Sequence, residues 1–211
     1  MDLYFAPLAC SMATRISLYE AGGDANFIQV DGKAKRAADG TDFYLINPLG
    51  QVPVLRTDEG DLLTENPAIL LYVGERYPES GLAPTGQARY WLQQWLNFVA
   101  TEMHKVIFAP LLDKSSPDGA KAYAQEKAGR RLTLLDEHLV EREFLLDRFT
   151  VADAYLFTTL NWARLTGVLD LTRWPHIEAY VYRLLNRPSI DRALDEEMSL
   201  FQAEKARQQA A

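Results

Sequence analysis

Residues 1–23 read MDLYFAPLACSMATRISLYEAGG, and the fold turns on how this stretch divides. LYFAP (3–7) reads as a brief buried strand. Met12, Ile16 and Tyr19 then recur at helical spacing, and Gly22-Gly23 stop the helix. Cys10, the only cysteine in 211 residues, falls at the junction, with Ser11 as the expected N-cap. Unpaired N–H groups and the positive end of the helix dipole favour a thiolate there, and the Ser11 hydroxyl is a further donor. The same position also suits a small, buried, inert cysteine. Ala13 stands three residues on, so the spacing argues against a Cys-x-x-Cys dithiol mechanism.

NFIQVD (26–31) is a second strand, and GKAKRAADGTDFYLIN (32–47) is polar and irregular, with one helical turn expected in it. In VPVLRTDEGDLLTE (52–65) two apolar runs flank Asp58-Glu59-Gly60, a hairpin signal. NPAILLYVGERY (66–77) is a helix with Asn66 as N-cap and Pro67 at its first position. The order strand, helix, strand, irregular segment, hairpin, helix is an α/β pattern over residues 1–80. PESGLAPTGQ (78–87), rich in proline and glycine, is a linker.

From residue 87 the period is helical. ARYWLQQWLNFVATEMHKVIFAPLL (88–112) is a long helix expected to bend or loosen near Pro110. Helical patterns follow at 118–141, 150–167, 174–188 and 189–201. The expected division is an α/β domain 1–80, an all-helical domain 87–201 and a polar tail 202–211.

A net charge of −7 gives no basic footprint, which argues against nucleic acid as the main partner. A lone cysteine forms no internal disulfide and suits a reducing compartment. The start lacks a basic n-region, and no run reaches the roughly 18 apolar residues of a membrane span. A cytoplasmic protein with no membrane partner is the expectation.

Other positions could carry chemistry. Val52-Pro53 heads a predicted strand, either as a proline opening an edge strand or as a cis bond that presents the Val52 N–H and C=O to a ligand. Glu65 and Asn66 open a helix, where backbone N–H groups and an amide form a carboxylate site; Asn66 serves equally as a cap. Asn97, Thr101 and His104 fall at i, i+4 and i+7 as a polar stripe bordered by Lys105, which is either a solvent face or a site. His138 and His176 read as structural. Thr150 and Asp153 form a Thr-x-x-Asp capping box, also structural.

In order and spacing, PLACS, INPLGQVPVL, LLTE, WLNFVATEMHK and FTVADAYLF together resemble the cytosolic glutathione transferases over essentially the whole chain. Within that family they resemble the bacterial beta class. The resemblance implies a thioredoxin-like N-terminal domain and an all-α C-terminal domain. It implies a homodimeric detoxification enzyme that binds glutathione as co-substrate, needs no metal, and conjugates glutathione to apolar electrophiles.

Roles follow by position. Cys10 would face the glutathione sulfur, Lys35 would reach its glycine carboxylate, and Val52, held out by cis Pro53, would bond its cysteinyl backbone. Glu65 and Asn66 would hold the γ-glutamyl end. Asn97, Thr101, Glu102, His104 and Lys105 would line the cleft from the helical side, with Ser11, His104 and Lys105 as candidate donors to the thiolate. Leu8, Phe108, Leu111 and Trp162 would wall the electrophile pocket. Asn66 departs from the usual Ser or Gly of this family, and Leu8 and Gly32 depart in size from their usual counterparts. Two other readings keep the fold: a glutathione-dependent thiol transferase or reductive dehalogenase using Cys10, and a non-catalytic binder.

Overall fold

The strand read from LYFAP lies at the centre of a five-stranded sheet in a computed structural model, which describes residues 1–210. The strands are β1 (Asp2–Phe5), β2 (Asn26–Asp31), β3 (Arg36–Ala37), β4 (Val54–Arg56) and β5 (Leu62–Leu63), in the order β3-β2-β1-β4-β5. β1 runs parallel to β2, with Leu3 opposite Phe27, and antiparallel to β4, with Leu3 opposite Leu55. Alternate residues therefore enter different layers. Leu3, Phe5 and Leu55 pack with Leu18, Ile69 and Val73, whereas Tyr4 and Val54 pack with Val30, Ala37 and Phe43. A strand buried on both faces needs an unbroken apolar run, which is why LYF carries no polar alternation.

α1 (Met12–Glu20) ends in a Schellman turn: Gly23 N–H donates to Leu18 O at 2.9 Å and Gly22 N–H to Tyr19 O at 3.2 Å, with Gly22 at φ 63°. The irregular segment contains β3, which was not foreseen because a two-residue strand has no period to detect. α2 (Asn66–Arg76) begins at its expected cap, one residue earlier than the expected first helical position. Glu65 occupies the cap position, and Asn66 is already helical.

The described residues form two compact units, Met1–Leu82 with the last helix from Pro188, and Ala83–Arg187. This corrects the expected domain 87–201: the C-terminal helix α8 (Pro188–Ala210) belongs with the first unit and packs on α1. Ile190, Ala193 and Glu197 are fully buried, and Leu200 packs on the cluster around Leu3 and Phe5, so one stripe of α8 completes that core. The expected tail is helical through Ala210; Ala211 lies outside the described residues.

The second unit is helical. Its first helix runs as α3 (Gln87–Phe98), a π-helical stretch Val99–Phe108 and α4 (Ala109–Leu112). The loosening expected near Pro110 is therefore spread over the preceding turns. α5 (Asp118–His138), α6 (Val151–Thr166) and α7 (Pro175–Leu185) follow. α6 is buried from Val151 to Ala163 and is anchored by Asp153, whose carboxylate accepts from the Leu145 and Thr150 N–H groups and from the Thr150 and Tyr180 hydroxyls, all at 2.8–3.0 Å. Burial raises the Asp153 carboxyl above the usual range against the pull of these four donors. His138 Nε2 donates to Leu145 O at 2.9 Å and its ring lies 4.4 Å from the Trp95 ring, a structural position; His176 pairs with Asp136. No described helix is long and apolar enough to cross a membrane.

Candidate functional site

Cys10 sits half-buried in the turn between β1 and α1. Its Sγ donates to Val52 O at 3.3 Å, and its own carbonyl accepts from Asn66 Nδ2 at 3.0 Å. The Val52-Pro53 bond is cis. One turn residue thus touches both the head of β4 and the start of α2, two of the segments singled out in the sequence.

The side chains around it do different work from that expected. Ser11 is no cap: it is already helical in φ and ψ, fully buried, and its Oγ accepts from Ala6 N–H at 3.3 Å while donating to Ala6 O at 3.2 Å. A hydroxyl committed on both sides ties the turn together and has no proton left for a thiolate. Asn66 is a strut. Besides the Nδ2 bond to Cys10 O, its Oδ1 accepts from Thr14 Oγ1 at 3.1 Å, so the buried amide joins α2 to α1. The bulkier Asn in place of Ser or Gly is explained by this bridge.

Three residues of the set carry backbone strain. Leu8, Lys35 and Glu65 have φ of 60°, 54° and 65°, left-handed values that cost an L-residue about 1–2 kcal/mol. Lys35 Nζ donates to Gly50 O at 2.8 Å, which parks its charge two residues before Val52. The Glu65 carboxylate is exposed and, among the described residues, has no hydrogen-bond partner. Leu8 is half-buried, and its N–H donates to Glu197 Oε2 at 2.6 Å.

Glu197 was missed in the sequence. It interrupts an apolar stripe at Ile190, Ala193 and Leu200, and Arg15 interrupts the buried face of α1 in the same way. Opposite charges on two buried stripes are a legible sign that the helices meet. Arg15 Nε donates to Glu197 Oε1 at 2.9 Å, Nη1 reaches Glu196 at 2.8 Å, and the guanidinium lies 4.4 and 4.0 Å from the centroids of Phe5 and Phe27. Glu196 also accepts from the Tyr19 hydroxyl. Burial pushes the Glu197 carboxyl up to about 7, opposed by Arg15 and the Leu8 N–H.

In the second unit the polar stripe breaks. Asn97 and Thr101 are exposed and bond back to their own helix, Nδ2 to Gln93 O at 2.8 Å and Oγ1 to Asn97 O at 2.9 Å. The wider π turns rotate His104 off their face. His104 is instead half-buried, with Nδ1 2.8 Å from the Tyr155 hydroxyl and its ring edge-on to Trp162 at 5.0 Å. Burial, then the neighbouring Lys105 charge, lowers its pKa to about 4, so His104 is neutral at pH 7 and offers one N–H. Lys105 is exposed, and Glu102 is ion-paired with Arg131 on α5. Phe108 is fully buried against Trp162 at 5.7 Å, so it can only back a pocket; Leu111 is half-buried. A cavity of about 320 Å³ at the end of α6, lined by Leu169, Leu171 and Val181 among others, includes none of the expected electrophile-wall residues.

Residues 1–75 match the family model described as the N-terminal domain of glutathione S-transferase, and residues 98–188 match that of its C-terminal domain. The chain is 40% identical over 200 residues to glutathione S-transferase GstA of Escherichia coli O157:H7, covering 93% of this chain and 98% of that one. A sphingomonad glutathione S-transferase solved in complex with glutathione is 40% identical with a TM-score of 0.88, at 93% and 98% coverage. The bacterial beta-class enzyme of Sphingomonas chungbukensis gives the same identity, TM-score and coverage. The chain belongs to the glutathione S-transferase family and is similar to its bacterial beta class.

Proposed function

We propose that the protein binds glutathione on its first unit, stabilises the glutathione thiolate, and conjugates it to small apolar electrophiles. The observation that carries this reading is the pair of bonds made by Cys10, thiol to Val52 O and carbonyl to Asn66. They bring a thiol, a cis-proline strand head and a helix N-terminus into one cluster. In the proposal the Val52 backbone takes the cysteinyl part of the tripeptide, Lys35 its glycine carboxylate, and Glu65 with the Asn66 N–H its γ-glutamyl end. Cys10 then faces the ligand sulfur. A free thiol of pKa ~8.5 is only a few per cent ionised at pH 7, and lowering it by two units takes about 2.7 kcal/mol. Because Ser11 is committed to Ala6, the proposal assigns its hydroxyl no part in holding that thiolate.

Thiol transfer is the second reading, favoured by a half-buried lone Cys10 whose Sγ already lies on the Val52 carbonyl. Conjugation of a chlorodinitrobenzene, assayed beside reduction of a glutathione mixed disulfide, separates the two. The first reading expects conjugation to dominate and to survive Cys10→Ala in part; activity only on the mixed disulfide supports the second.

The proposal extends to a cytoplasmic homodimer acting in detoxification. Its support is exposed apolar surface: Tyr90 and Trp91 on α3, and Leu45 and Leu49 before β4. Trp95, one turn further along α3, is buried and adds nothing to that surface. Sedimentation at micromolar concentration is expected to show twice the 23.9 kDa chain mass; a single species at chain mass contradicts it.

A further inference from the structure

We propose that Glu197, on the C-terminal helix, is a positioning residue for Cys10: its carboxylate holds the Leu8 N–H and thereby fixes the path of the turn that presents the thiol. The inference rests on the reading of Cys10 as a member of the active site.

An acid is an unfavourable choice for its place. The neighbouring stripe positions are Ile190, Ala193 and Leu200, and a buried ion pair is often no better for stability than a well-packed apolar replacement. Glu197 is nevertheless fully buried. Pairing with Arg15 occupies only Oε1. Oε2 is directed to a main-chain N–H at 2.6 Å, two residues before Cys10, and at the residue of the turn whose φ is left-handed. A leucine does not choose that conformation unaided, and a carboxyl oxygen accepting its N–H at 2.6 Å is the means of holding it.

The turn is then gripped at three points. Ser11 Oγ clasps both backbone groups of Ala6, Glu197 holds Leu8 N–H, and Asn66 holds Cys10 O. Two grips come from helices adjoining the turn in the α/β core; the third comes from a helix nearly two hundred residues away in sequence. Arg15 locks that carboxylate in rotamer, with Glu196 and Tyr19 completing the charged cluster around it. Losing Oε2 frees Leu8 to relax towards an ordinary negative φ, and the Cys10 thiol moves off the Val52 carbonyl with it.

The test compares Glu197→Leu, which restores the apolar stripe, Glu197→Gln, which keeps the shape but has one acceptor oxygen for two donors, and Glu196→Gln, which touches Arg15 but not the turn. Iodoacetamide alkylation of Cys10 across pH, and amide exchange of residues 6–11, are read on full-length protein whose fold is checked by circular dichroism. Neither readout needs glutathione or an electrophile, so an inactive transferase leaves the test intact. Both Glu197 variants are expected to change the alkylation rate at least fivefold and to speed exchange of the turn at least tenfold, with Glu196→Gln close to wild type. Wild-type alkylation and exchange in the Glu197 variants overturns the proposal, as does an equal effect of Glu196→Gln. If neither Glu197 variant folds, wild-type exchange decides: a Leu8 amide protected like those of α8 supports the grip, and one exchanging as fast as the exposed Gly32–Lys33 loop overturns it.

Discussion

The two units carry their candidate residues in opposite ways. Around Cys10 the polar groups bond across segments, thiol to strand head, amide to turn, ammonium to loop carbonyl, and three of the four described non-glycine residues with positive φ are Leu8, Lys35 and Glu65. Along the π-helical stretch the polar groups bond within the helix or to the next one, as Asn97, Thr101 and Glu102 do. A site built on turns is held by backbone strain and by side chains acting as struts; a site built on a helix face inherits its geometry from the helix. Substitutions are therefore expected to cost more in the first region than in the second.

Asn66→Ala is the largest break available. It leaves Thr14 Oγ1 and Cys10 O without their buried partner, and by the cost of unmet buried groups stability should fall by about 2–4 kcal/mol in denaturant unfolding. A loss below about 1 kcal/mol would make the amide an ordinary helix-start residue. Glu65→Ala tests the same region without touching its framework. An exposed carboxylate facing a ligand ammonium is worth roughly 1.5–3 kcal/mol, so calorimetry should show roughly a tenfold to hundredfold weaker glutathione affinity at unchanged stability. Unchanged affinity reduces Glu65 to a charge beside a helix.

His104 sharpens the comparison by pH. Its pKa of about 4 in the fold lies below the ordinary 6.5, so as pH falls through 6.5 protons go first to the unfolded chain. The stability it contributes is complete above 6.5, is lost between 6.5 and about 4, and changes no further below. Allowing for partial burial, the loss is about 2 kcal/mol. His104→Phe should remove that part of the pH dependence of unfolding; an unaltered profile means that the ring is more hydrated than its contacts with Tyr155 and Trp162 imply. The smallest effects belong to Asn97→Ala and Thr101→Ala, exposed residues bonded to their own helix, which should each shift stability by under about 0.5 kcal/mol. A larger shift would show that the polar face is load-carrying after all.

Legibility followed the same division. The buried strand, the glycine stop of α1, the hairpin and the helical half could be read because each has a period or a terminator, and the capping box at Thr150 and Asp153 because its partners are three residues apart. Cys10, Val52-Pro53 and Glu65 were legible as positions. What Ser11 and Asn66 do was not, because a hydroxyl or amide that can cap its own helix looks the same when it binds a segment dozens of residues away, such as Cys10 O for Asn66. The stripe at Asn97, Thr101 and His104 failed for another reason: its spacing assumes α-helical turns, and ten residues of π-helix alter the rotation. α8 was misassigned because an amphipathic period shows that a helix packs but not on what. Arg15 and Glu197, opposite charges on two apolar faces, held that information.

Cys10 is proposed to stand in the glutathione site as an accessible thiol. Intact-protein mass after exposure to oxidised glutathione decides whether it does. One glutathione per chain is expected in mixed disulfide with Cys10, formed as the thiolate displaces one half of the oxidised tripeptide as free thiol, and persisting until an external thiol removes it because the chain has no second cysteine. The adduct should be absent from Cys10→Ala and slower to form in Glu65→Ala. An unmodified wild-type mass, with alkylation showing a thiol pKa at or above that of free cysteine, would instead make Cys10 a buried spacer between β1 and α1.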